Sequence, residues 1–354
     1  MLLLRPDHIG DVLLTSPAVA LLRESLPRAH LSYIVGPWSA EVAWGGPPVD
    51  SLRTLTFPGF TRRSNANLLA PYALLMREAA GLRRERYDLA VVFRPDHWWG
   101  ALLTQIARIP VRVGGGTPET TPLLTHVRGA VPGEHATQTA LGLARLALDT
   151  FGVPAVDVST LPSFRVSQAD RTTAREFWAR HGFGDQRVVG IAPSAGATLK
   201  SWPIGRWADL ADELVATSAT VLFIGGPDDG ALVAAIQACM SQAPAATAWG
   251  QSLGVSAALL ERCWLLVGLD GGQAHLAGAV GTPTVRLYGP APSQAFGPWP
   301  AQEQQRVLVA GRLGCVPCGY LEAPPCGATA LPACMLALGV EDVMKAVRAQ
   351  FERH

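Results

Sequence analysis

Short runs of mostly apolar residues recur along the chain. Each is followed by a turn bearing Gly, Pro or Asp, and most turns lead into a stretch whose apolar positions return every three or four residues. The runs at 1–5, 31–35, 88–93, 188–192, 220–224, 265–269 and 284–288 have strand length, and most show no polar face, as expected of parallel strands covered on both sides. Residues 49–55 and 111–116 add further strands. Helical periodicity follows at 11–25, where Leu14, Ala18, Leu21 and Leu22 share a face, and at 67–86, 101–107, 136–150, 167–181, 204–216 and 230–240. The alternation predicts βα units around parallel sheets. Residues 151–164 carry Pro, Val and Ser without periodicity and mark a boundary. The expected plan is an N-terminal Rossmann-like domain over 1–160, a second over 161–340, and a last amphipathic helix over 341–354, through Val343, Val347 and Phe351, that packs back on the first domain.

One stretch is richest in candidate chemistry. The strand at 265–269 breaks at Asp270-Gly271-Gly272, and a helix starts at about Gln273. Glycines there let the backbone approach a ligand, and the unpaired N–H groups of a first helical turn favour an anion, most simply a phosphate. A helix cap and a tight turn would use the same residues. The strand at 284–288 completes a βαβ unit, whose ligand belongs at the strands' C-terminal ends. The turn Arg5-Pro-Asp-His-Ile-Gly10-Asp11 offers polar groups at the same end of the first strand, and Arg94-Pro-Asp-His-Trp-Trp-Gly100 repeats that design.

Composition narrows the classes. A chain of 354 residues suits two domains, and 49% hydrophobic residues, 16% charged residues and a net charge of +1 describe a globular protein without the basic surface of a nucleic-acid binder. The apolar N-terminus is interrupted at Arg5 and is too short for a signal-peptide core, and Pro and Gly interrupt every longer apolar stretch, so a cytoplasmic protein is expected. Among 29 basic residues only Lys200 and Lys345 are lysines, which suggests that Lys200 does something a planar guanidinium cannot.

Two facing α/β domains with a ligand between them form the GT-B arrangement. The chain resembles glycosyltransferase family 9, the ADP-heptose:lipopolysaccharide heptosyltransferases and their relatives, over nearly its whole length. The resemblance is carried by Arg5-Pro-Asp-His-Ile-Gly10-Asp11 with Pro17, Tyr87-Asp88-Leu89, Pro193-Ser194 with Lys200-Ser-Trp-Pro203, Gly225-Gly-Pro-Asp228, and Asp270-Gly-Gly-Gln-Ala-His275-Leu-Ala with Gly281-Thr-Pro283 and Tyr288-Gly-Pro290. It implies inverting, metal-independent transfer of a sugar from a nucleotide donor, ADP-heptose, held by the second domain. The acceptor, held by the first, is a lipopolysaccharide core or another bacterial surface glycan or glycolipid, and transient contact with the inner membrane surface follows. No cofactor beyond the donor is implied.

Inversion needs a carboxylate to take the proton of the attacking hydroxyl, and Asp11 is the candidate base, though a carboxylate there also stabilises its own helix. The leaving diphosphate needs donors already in place. Lys200 offers a mobile charge, the backbone of Gly271, Gly272 and Gln273 a fixed dipole, and Ser194, Thr198, Asp270 and His275 further contacts. Asp228 suits the ribose hydroxyls or a helix cap equally. The family commonly has Thr where this chain has Gly271, which removes one hydroxyl donor.

Arg62, Arg63, Arg94, His97 and Trp98, with Trp99, are candidates for the acceptor: Arg for acidic sugars, Trp for stacking on sugar rings. Cys315, Cys318, Cys326 and Cys334 include one metal-like C-x2-C pair and are compatible with a structural zinc site, an iron–sulfur cluster or free thiols. Cys239 and Cys263 are expected in the core. A sugar-nucleotide epimerase of the same shape and a silent nucleotide-sugar-binding protein are alternatives; a Rossmann dehydrogenase fits poorly, because no G-x-G-x-x-G follows the first strand.

Overall fold

The computed structural model describes residues 1–60, 69–242, 246–311 and 313–352. The chain divides into two compact units at Ser163/Phe164. In the first, β1 (Leu2–Arg5), α1 (Ile9–Ser25), β2 (Ser32–Val35), α2 (Ala40–Gly45), β3 (Ser51–Thr54), α3 (Ala70–Glu85), β4 (Leu89–Val92), α4 (Trp98–Ile106), β5 (Val111–Gly115), β6 (His126–Arg128) and α5 (Ala136–Asp149) follow in order. In the second come α6 (Gln168–Arg180), β7 (Val188–Ala192), α7 (Ile204–Ala216), β8 (Thr220–Gly225), α8 (Gly230–Cys239), β9 (Ala246–Trp249), α9 (Leu253–Leu260), β10 (Leu265–Leu269), α10 (Gly272–Ala279), β11 (Thr284–Tyr288), α11 (Ser293–Phe296), β12 (Gln305–Val309), α12 (Ala333–Leu336) and α13 (Val340–Phe351).

Each unit holds one parallel sheet, ordered β3-β2-β1-β4-β5-β6 and β12-β11-β10-β7-β8-β9. Counted within its own unit, each sheet has the order 3-2-1-4-5-6 of a doubly wound Rossmann fold. The order reverses between β1 and β4 in one unit and between β7 and β10 in the other, and the loops that leave the C-terminal ends of those strands flank the crevice where such sheets bind ligands. The central strands are apolar on both faces because helices cover both: Leu2 to Leu4 and Leu265 to Val267 have no exposed surface.

Two helices of the first unit begin two to three residues earlier than the sequence pattern suggests. α1 opens at Ile9, after His8 in extended backbone, so Asp11 lies in its first turn rather than at its start. α4 opens at Trp98. α9 carries no periodic signal, because all eight of its residues are buried and it has no polar face. β9 and β12 are edge strands with polar positions, which hides them among loops. The apolar face of α13, Val343, Met344 and Val347, packs into the core of the second unit with Trp207 and Leu338. Cys263 is buried, but Cys239, expected in the core, is exposed at the end of α8, whose buried face is carried by Val233 and Ile236.

One glycine fixes a functional loop. A Cβ on Gly115, the last residue of β5, would lie 2.6 Å from the Cα of Pro95, so only glycine lets the loop after β4 settle against that strand. Gly115→Ala should destabilise the first unit by about 1–3 kcal/mol in urea unfolding. Gly129→Ala, where a Cβ meets nothing within 4 Å, should leave stability unchanged.

Candidate active site

The second unit assembles its polar groups at the point where its strand order reverses. The loop after β7 carries Lys200 between two buried anchors, Leu199 and Trp202. The indole N–H of Trp202 donates to the Leu338 carbonyl at 2.9 Å, and its ring meets Trp207 edge-on at 4.8 Å. The Lys200 ammonium is thereby held 2.5 Å from Oδ2 of Asp270, the residue that follows β10. Burial alone would raise the Asp270 carboxyl, but a hydrogen bond from His275 and the charge of Lys200 hold it well below the usual carboxylate range.

Behind this pair the network continues into the core. His275 Nε2 stands 3.7 Å from Asp270 Oδ1, and its Nδ1 lies 3.5 Å from Arg286 Nη1. A guanidinium only donates, so Nδ1 is assigned as the acceptor of that contact, which leaves Nε2 to donate toward Asp270. Arg286 is fully buried; its Nε donates to Thr284 Oγ1 at 2.9 Å and its Nη2 to Gln305 Oε1 at 2.8 Å. A Cβ on Gly278 would come within 2.6 Å of Arg286 Nη2, so α10 lies directly against the guanidinium. Gly271 sits just before α10 in extended backbone, and the first N–H groups of that helix have no acceptor within it.

The other donor-site candidates are spread nearby. Ser194 Oγ donates to Asp229 Oδ2 at 2.6 Å, and the Gly226 N–H reaches the same oxygen at 2.6 Å. Asp229 is therefore the acid that ties the β7 and β8 loops together, while Asp228 and Thr198 are exposed. Asp228 was expected at a ribose or as a helix cap; nothing in two adjacent aspartates tells which one turns inward.

The first unit builds a different cluster at its own reversal point. Asp7, after β1, is buried, and its backbone carbonyl accepts from Trp38 Nε1 and Ser39 Oγ, each at 2.9 Å. Its carboxylate accepts from Arg94 Nη1 at 2.5 Å and lies 3.0 Å from Arg5 Nε. Arg5 also donates to the Phe93 carbonyl at 2.9 Å, and its Nη2 stands 3.5 Å from Asp11 Oδ1. The Asp11 side chain is about one-third exposed. Arg5, Asp7, Arg286 and Gln305 received no role from sequence; the first two lie in the quoted motif, but only the fold shows that Asp7 pairs with Arg94 and stands beside Arg5.

Among the acceptor candidates, Arg94 is committed to Asp7 and Asp96. His97 is buried against Phe57, Phe60 and Trp99, and neither ring nitrogen has a hydrogen-bond partner. Trp99 is buried too, Trp98 is exposed, and Arg62 and Arg63 lie outside the described residues. Cys315 and Cys326 face solvent while Cys334 is buried, and among the described residues no group of three His, Cys, Asp or Glu is placed to share a metal ion. No helix among the described residues is long and apolar enough to cross a membrane.

Two Rossmann-type units in one chain, each with its polar cluster at the strand reversal, define a fold of the GT-B class. A model of glycosyltransferase family 9 (heptosyltransferase) matches residues 75–322, and the chain belongs to that family. It is 26% identical over 300 residues to lipopolysaccharide heptosyltransferase 3 of Escherichia coli, covering 82% of this chain and 83% of that protein. Among solved structures it is similar to a family 9 glycosyl transferase of Veillonella parvula (TM-score 0.77, 24% identity, 100% of this chain and 97% of that one). It is also similar to the E. coli ADP-heptose lps heptosyltransferase II (TM-score 0.75, 21% identity, 99% and 98%). The protein is thus a glycosyltransferase of the lipopolysaccharide heptosyltransferase family.

The buried His97 has a consequence for stability. Burial pushes its imidazole down to about 4, with Asp7 pulling the other way, whereas an unfolded histidine titrates near 6.5. Between those values only the unfolded chain takes up the proton, so stability is lost as pH falls through that window and is regained above it. From pH 7 to pH 5 the first unit should lose about 2 kcal/mol on this account. His97→Gln should flatten that slope in urea unfolding; equal slopes in the two proteins would contradict the assignment.

Proposed function

We propose that the protein transfers a heptosyl group from ADP-heptose to a lipopolysaccharide-core acceptor, with inversion and without a metal ion, at the cytoplasmic side of the inner membrane. The observation that carries this reading is the Lys200–Asp270 pair at the start of α10. Lys200 has three N–H donors. One is given to Asp270 Oδ2, and the Asp270 carbonyl at 3.4 Å takes at most one more. The remaining donor and the first N–H groups of α10 suit a diphosphate, whose charge grows as the sugar departs. Ser194 and Thr198 lie on the same loop as Lys200, and Asp270 and His275 complete the donor side. Asp228, exposed on the loop after β8, is the proposed contact for a ribose.

On the first unit Asp11 acts as general base: a carboxylate, partly exposed, beside a guanidinium that keeps it oriented. Trp98, exposed at the start of α4, offers a face on which an acceptor sugar can stack. The names of the E. coli relatives support the donor and acceptor, and the residues support the division of labour.

ADP at a hundredfold excess over its Kd should stabilise the protein by about 2.7 kcal/mol, a rise of about 5–11 °C in melting temperature if it binds the folded second unit; equal shifts with UDP and GDP would sink the donor assignment. In transfer from ADP-heptose, Asp11→Ala should lower kcat by about 10²–10⁴ and Lys200→Met by about 10²–10³. EDTA should leave the wild-type rate unchanged. An Asp11→Ala protein with full turnover would remove the base.

A further inference from the structure

We propose that Arg94, Asp7 and Arg5 form a relay of alternating charge that holds the Asp11 carboxylate in position, and that Arg94 serves the reaction as a positioning residue rather than as a ligand of the acceptor. This rests on the reading of Asp11 as the base.

The relay runs across the strand reversal of the first unit. Arg94 comes from the loop after β4, Asp7 from the loop after β1, Arg5 from the end of β1, and Asp11 from the first turn of α1. The successive separations are 2.5, 3.0 and 3.5 Å. The middle of the chain is the most deeply buried part: the Asp7 and Arg5 side chains are 5% and 8% exposed, against 36% for Arg94 and 31% for Asp11. The two buried charges at the centre are screened least from each other, and they connect the two partly exposed ends.

Arg5 is the joint. Its Nη1 donates to the Phe93 carbonyl, while Nε lies 3.0 Å from Asp7 Oδ2 and Nη2 3.5 Å from Asp11 Oδ1 as ion-pair contacts without a hydrogen bond at Nε. A planar fork with one hydrogen bond and a carboxylate on either side is oriented by the balance of those two charges, which sets how closely Nη2 approaches Asp11. Arg5 keeps that divided posture only while Asp7 has a second cation to satisfy it. Arg94 is that cation, itself fixed by Asp96 at 2.7 Å and by the Phe60 ring at 5.1 Å. Without Arg94, Asp7 would draw Arg5 toward itself and loosen its hold on Asp11. An acidic acceptor group, for its part, would have to displace a carboxylate to reach Arg94.

The test uses the full-length protein with ADP-heptose and a heptose-containing lipopolysaccharide core as the acceptor probe. Arg94→Gln should lower kcat about tenfold to a hundredfold, change the acceptor KM by less than about twofold, and cause no further loss in an Asp11→Ala background. Arg94→Lys should recover part of the rate. A raised acceptor KM at unchanged kcat would make Arg94 an acceptor ligand and overturn the relay, as would losses that multiply in the double variant. If Asp11→Ala alone turns over like the wild type, the base reading falls, and the relay is then judged without activity. The Asp11 carboxyl carbon, followed by NMR, should titrate at higher pH in Arg94→Gln than in the wild type. An unmoved titration would refute the coupling.

Discussion

The second unit depends on a cation and a carboxylate brought together in a nearly dry place. Lys200 and Asp270 are 16% and 7% exposed in their side chains, and a buried charge without its partner is strongly destabilising, commonly by about 3–5 kcal/mol. The pair therefore constrains the two segments that bear it, the loop after β7 and the start of α10, to stay together. Trp202 and Leu199 plug the loop into the core on either side of Lys200, so the ammonium is fixed by packing before any ligand arrives. His275, Arg286, Thr284 and Gln305 back the carboxylate with donors and acceptors that satisfy one another, which lets such polarity exist under a helix.

The first unit solves a similar problem with other residues. Its strand reversal also holds alternating charges, but arginines replace the lysine, and the carboxylate at the end of the row is partly exposed. The contrast suits the roles assigned to the two units. A diphosphate is met by a compact charge with free N–H donors, whereas a base needs a carboxylate whose neighbours are rigid. The same topology carries both, because in a parallel sheet the loops at the reversal point are the ones that project side chains without disturbing the core.

Much of this was legible in the sequence. The apolar runs locate the central strands, because burial on both faces leaves them no polar position, and the turns after residues 5, 93, 192 and 269 mark where the chemistry sits. Lys200 and Asp270 stand out from scarcity and from a glycine turn. The edge strands β6, β9 and β12 were not legible, since an edge carries polar residues as a loop does, nor was α9, which is buried all round. Pairings were beyond reach as well. Arg94 and His97 stand out in the sequence only as acceptor candidates on one loop; their partners, Asp7 87 residues away for one and a set of aromatic rings for the other, do not show there. Partners so distant in sequence leave no local signature.

The proposed mechanism requires the Lys200–Asp270 corner to be the seat of the diphosphate. Calorimetric titration of ADP and of AMP into the wild type and Lys200→Met measures this directly, because the two nucleotides differ only in the second phosphate. The wild type should bind ADP more tightly than AMP by about tenfold or more, a difference of about 1.4 kcal/mol, and Lys200→Met should bind the two nearly alike. A preference for ADP that survives the loss of Lys200 would place the diphosphate elsewhere and contradict the mechanism built on this corner.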